Sequence, residues 1–135
     1  MVVSSEDSKR IVDIGSSNIW HSLSSTVNVR LKPYIHQIPL AIGFLKMGKC
    51  EAKDGNNTAR QLNLIRDMLS QFPPDMAVFD ENNPNKEAPW KEKLSPVITS
   101  CANLYTTSDG KDLLFEMVSI LCYASIMGVS VSIVE

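Results

Sequence analysis

A mainly α-helical domain is predicted by two patterns. Apolar residues recur at three and four over 58–72 and 111–127, and helix start and stop signals stand at Ser16-Ser17-Asn18, Pro39, Gly48 and Pro73-Pro74. Composition agrees: the chain has 135 residues, 44% hydrophobic and 21% charged, close to the globular average. A chain of this length buries enough surface for one core without a disulfide or a structural metal. The expectation is a compact helix-rich single domain of four to five helices with two or three short strands. An α+β arrangement is the alternative.

Residues 1–10 are polar and read as a loose surface segment ahead of a domain at 11–135. Ser16 to Asn18 offers an N-cap to a short helix through Ile19, Trp20 and Leu23. Thr26 to Lys32 alternates, with Val27, Val29 and Leu31 on one side and Asn28, Arg30 and Lys32 on the other, which reads as a strand ended by Pro33. Pro39 opens a helix that Gly48 stops, and Cys50 to Asn57 is a polar loop. The strongest helix runs from Thr58 to Phe72, with Leu62, Ile65 and Leu69 as its apolar stripe, and Pro73-Pro74 ends it. Asp80 to Glu87 is an exposed, turn-rich loop. Ser95-Pro96 reads as N-cap and first position of a helix to about Tyr105, with Val97 and Ile98 on its apolar side. After a link at 106–110, where Ser108 or Asp109 supplies the cap, a central helix runs from Lys111 to about Met127. Val129 to Ile133 alternates as a half-buried strand.

Met117 to Val134 carries no charged residue, yet serines at 119, 125, 130 and 132 and Gly128 interrupt it. The stretch therefore reads as a buried helix plus a strand, and a membrane association is not expected. The polar start lacks a secretory signal, and the three cysteines, Cys50, Cys101 and Cys122, form no C-x-x-C pair. Both point to a reducing compartment, cytoplasmic or nuclear, not secreted.

No catalytic motif stands out. Gly43 to Cys50 fits G-x-x-x-x-G-K, but Cys50 occupies the position where Mg²⁺ needs a hydroxyl, and the intervening residues are bulky. A short core helix with a glycine cap explains it better. His21, His36 and the cysteines lack metal-ligand spacing, so neither a metal nor a cofactor is expected. Cys101 and Cys122 read as inert core thiols, whereas Cys50, between Lys49 and Glu51, is the one thiol worth testing for reactivity.

Thirteen basic against fifteen acidic residues give a net charge of −2, so the chain has no global attraction for phosphate polymers. A non-enzymatic intracellular protein–protein interaction or assembly module, self-associating as a homodimer or higher oligomer or binding another protein, is the leading functional expectation. Trp20 and Trp90, the latter beside Lys91, Glu92 and Lys93, are its candidate contact anchors. Val129, Val131 and Ile133 form a candidate edge strand that pairs with a second copy. The alternative is a nucleic-acid-binding accessory protein whose local basic and aromatic patch uses Arg30, Lys32, Tyr34, Lys46 and Lys49.

Overall fold

The computed structural model describes residues 1–90 and 93–135. Among these residues it comprises strands β1 (Val2–Ser5), β2 (Ile11–Asp13), β3 (Lys49–Cys50) and β4 (Val131–Val134). Its helices are α1 (Ser17–Arg30), α2 (Pro39–Met47), α3 (Gly55–Leu69), the single turn α4 (Cys101–Leu104) and α5 (Leu113–Met127). The helix-rich expectation holds, with a small antiparallel sheet ordered β2-β1-β4-β3 laid on the helices.

The extra strand comes from the segment expected to be loose. Val3 pairs with Val12 on one side and Ile133 on the other, so Val2–Ser5 lies inside the sheet and Val3 is fully buried. Its four residues, Val-Val-Ser-Ser, alternate only weakly, which hid them from a pattern search. The inner rows of the sheet, Val12–Val3 and Ser5–Val131–Cys50, face the helices, and α5 covers them.

The stretch expected as a strand is not one: Thr26 to Arg30 belongs to α1, Leu31 caps it and Lys32 opens a 3-10 helix. Leu23, Val27 and Leu31, four apart, are all fully buried, whereas Val29 is 42% exposed. The four-residue spacing outweighed the β-branched alternation because the stripe it continues is the one that packs. Ser16 caps α1 as expected, its hydroxyl accepting from the Asn18 N–H at 3.1 Å.

Helix α2 matches its reading at both ends: Pro39 starts it and Gly48, at φ 70°, closes it with an N–H bond to the Phe44 carbonyl. The Gly43–Cys50 stretch is therefore the end of a short core helix with a glycine cap, running into β3. Cys50 sits not in a loop but in β3, 7% exposed.

Helix α3 begins three residues early, at Gly55, against α5. A Cβ at Gly55 would lie 2.8 Å from the Leu121 carbonyl oxygen and 3.0 Å from Ser125 Cβ, so only glycine admits this crossing. Helix α5 is the central helix, with Leu113, Leu114, Met117, Ile120, Leu121 and Ala124 buried, and its cap is Asp112, not Ser108 or Asp109. The helix expected from Ser95 contracts to α4. Ser100 caps Ala102 while Asn103 accepts from the Ser100 N–H, a reciprocal arrangement that wins over Ser95-Pro96 and leaves Val97 75% exposed. No helix among the described residues is long and apolar enough to cross a membrane.

Candidate functional site: a cleft along the first helix

One face of α1 carries hydroxyls at helical spacing, Ser22, Ser25 and Thr26, all buried. Each bonds to the backbone of the irregular segment that follows α3. Ser22 Oγ donates to the Val78 carbonyl at 2.9 Å, Thr26 Oγ1 accepts from the Val78 N–H at 2.8 Å, and Ser25 Oγ accepts from the Glu81 N–H at 3.1 Å. Arg30 Nε donates to the Met76 carbonyl at 2.7 Å, and Asn28 Nδ2 donates to Glu81 Oε1 at 3.2 Å. His21 Nε2 meets Asp80 Oδ1 at 2.9 Å. That hydrogen bond, followed by one from the Asn82 N–H, holds the Asp80 carboxyl below the usual carboxylate range.

Beneath the seam lies Tyr105, 1% exposed, its hydroxyl 2.7 Å from Thr26 Oγ1 and 3.0 Å from Ser22 Oγ. Burial pushes its phenol up to about 12, only partly opposed by the hydrogen bonds from Ser22 and Thr26. It is a neutral linker at any physiological pH.

Beside the anchored segment lies a cleft of about 500 Å³, lined by Val29 and Arg30 at the end of α1, by residues between 74 and 90, and by Leu94. Val29, Ala77, Val78 and Leu94 line it, with Phe79 and Trp90 forming an edge-to-face pair, centroids 5.4 Å apart. Carboxylates of Asp75, Glu81 and Glu87 border it, and Lys86 Nζ stands 5.4 Å from the Phe79 ring centre. This volume falls within the range typical of binding pockets, and the lining mixes apolar walls with a few placed charges.

The residues singled out from sequence divide accordingly. Trp90 is a half-buried wall of this cleft, with its neighbours Lys91 and Glu92 outside the described residues. Trp20 is 8% exposed, packs edge-on against Phe44 and donates its indole N–H to the Leu45 carbonyl at 3.0 Å; core packing absorbs most of the ring. Val131 is buried, Val129 and Ile133 are half-buried, and β4 is paired on both sides, by β1 and β3. The expected edge strand is thus interior, flanked by β1 along its length and by β3 at Val131 and Ser132.

The basic residues are not gathered into one groove. Arg30 lines the cleft at the end of α1, Lys46 lines a separate one with Trp20 and Ile42, and Lys49 lies 3.6 Å from Glu51. Lys32, Tyr34 and His36 are exposed on the turn after α1. Burial, reinforced by Asp54 and Glu51, pushes the Cys50 thiol up, and Cys101 is pushed to about 11 mainly by burial, both away from the reactive thiolate. Among the described residues no group of three His, Cys, Asp or Glu side chains is placed to hold a metal ion.

The hydroxyl seam and Tyr105 were missed from sequence. The one available signal was Ser22, Ser25 and Thr26 at offsets of three and four, a polar stripe that reads as a solvated face until something is found to cover it.

Comparison with curated proteins found no match, and comparison with solved structures found none. The model of one protein family, described as immunity protein 70, matches residues 5–133, from the last residue of β1 through α5 and into β4. The match takes in nearly the whole fold, and the chain belongs to the immunity protein 70 family.

Proposed function

We propose that this protein neutralises a toxin by binding it as a stoichiometric, non-catalytic partner. The carrying observation is the match of the immunity protein 70 family model to residues 5–133, which takes in every helix and all of the sheet except Val2 to Ser4 and Val134. The structure is in keeping with a binding role. The cleft at the end of α1 is walled by an aromatic pair and bordered by charges, the composition of a protein contact site. The two buried thiols are held away from the nucleophilic form.

The test is rescue followed by titration. Candidate toxin domains that arrest growth are expressed with and without this chain, and a rescued toxin is then purified and titrated with it. Toxic activity should fall linearly and vanish at one equivalent. Failure to rescue any toxin refutes the reading, and complete protection at a small fraction of an equivalent refutes its non-catalytic part.

A further inference from the structure

Resting on that reading, we propose that the cleft between the end of α1 and residues 74–90 takes a basic side chain, a lysine or arginine, projecting from the toxin. The molecule supplies its own indication. Lys86 already holds its ammonium 5.4 Å from the Phe79 ring centre inside this cleft, so the aromatic wall accepts a cation. Trp90, the second half of that wall, has the larger π-face, and no cation–π partner of it occurs among the described residues. The charges around it favour the same occupant. Arg30 Nε donates to the Met76 carbonyl and Lys86 stands over Phe79, whereas Asp75 is exposed and, among the described residues, Glu81 accepts only a neutral amide, that of Asn28. The lining thus sets the carboxylates of Asp75, Glu81 and Glu87 against the cations of Arg30 and Lys86, a net negative charge that complements an incoming cation. A planar guanidinium that stacks on an indole and bonds a carboxylate at its edge satisfies both features at once.

The chain alone tests this, with N-acetyl-arginine amide as probe and N-acetyl-citrulline amide as its uncharged isostere, read by two-dimensional NMR. The two indole N–H signals separate the outcomes, since Trp20 is tied to the Leu45 carbonyl in the core and serves as an internal control. The arginine probe should move the Trp90 indole and the Val29 and Ala77 amides at millimolar concentration, the citrulline probe at most a third as far, and Trp20 not at all. Asp75→Asn with Glu81→Gln should abolish the difference between probes. Asp75→Asn alone, at an exposed site, covers the case in which the double variant does not fold. Equal shifts from both probes, or shifts confined to other surfaces, would overturn the proposal. With a rescued toxin in hand, Asp75→Lys should weaken binding about tenfold or more. Unchanged affinity there would sink the cleft assignment while leaving the toxin-binding reading intact.

Discussion

Replacing Thr26 by valine removes one oxygen and keeps the shape, so it asks directly whether the hydroxyl seam holds the irregular segment to α1. Thr26 is fully buried, and its hydroxyl accepts from the Val78 N–H at 2.8 Å and lies 2.7 Å from the Tyr105 hydroxyl. Valine has much the same helix propensity, so α1 itself is barely affected. The Val78 carbonyl keeps Ser22 and the Tyr105 hydroxyl keeps Ser22, but the Val78 N–H loses its only hydrogen-bond acceptor among the described residues. A net hydrogen bond of about 1 kcal/mol plus a partly buried orphaned donor of about 1–2 kcal/mol gives an expected loss of about 2–3 kcal/mol. At roughly 3–4 °C per kcal/mol for a domain of this size, Tm should fall by about 6–12 °C. Urea unfolding is the assay, with an unchanged m-value confirming that the native state keeps its compactness. Thr26→Ser, which retains the oxygen, should cost only about 1 kcal/mol. Combining Thr26→Val with Tyr105→Phe should be less than additive, since both remove the same bond. A loss under ~0.5 kcal/mol, or a serine variant as damaged as the valine one, would show that packing and not the seam fixes the segment.

Other expectations follow from single contacts. Gly55→Ala, which helix propensity alone would favour, should destabilise by about 1–3 kcal/mol in thermal unfolding, because the new methyl meets the Leu121 carbonyl at 2.8 Å; a gain in stability would mean α3 and α5 do not cross so closely. The Asp80 carboxyl is held below its ordinary value in the folded chain by His21, so its contribution is complete above about pH 4 and lost as pH falls through the folded value. The stability gap between wild type and Asp80→Asn should therefore close in acid, and a gap that stays constant with pH counts against the His21 bond. Native alkylation with iodoacetamide should label Cys122, which is half-buried, ahead of Cys50 and Cys101, whose thiols are buried and pushed up; prompt labelling of Cys50 would reopen a nucleophilic role.

Much of the helical layer was legible because its signals are local. Pro39 and Gly48 bound α2, and Leu62, Ile65 and Leu69 mark the buried stripe of α3. Leu114, Met117 and Leu121 do the same for α5. What failed depended on partners distant in sequence. Val2–Ser5 is a strand because β2 and β4 flank it. Thr26 to Arg30 is helical because Val27, and Leu31 at the cap, extend the stripe of Leu23 into the core. β4 was recognised as a strand but not as an interior one, since its neighbour β3 is only two residues long and carries no pattern of its own.

The candidate site was the least legible part, for the same reason that makes it informative. Between Leu69 and Cys101 the described chain has only a one-turn 3-10 helix, Pro74–Met76, and irregular stretches this long within a small domain are uncommon and usually functional or disordered. Residues 76–81 are held in place, because six α1 side chains, His21, Ser22, Ser25, Thr26, Asn28 and Arg30, spend hydrogen bonds on them. An ordinary surface helix would leave those groups to water, which satisfies them at no cost in chain entropy. Fixing the segment in this way does not enlarge the apolar core so much as set Phe79 and Trp90 at a defined angle beside Val29. The energy spent on the seam therefore appears as a preformed cleft, and a preformed cleft lowers the ordering cost a partner would otherwise meet on binding. A polar face on α1 and an aromatic wall on the segment it holds are, in this view, two halves of one binding device.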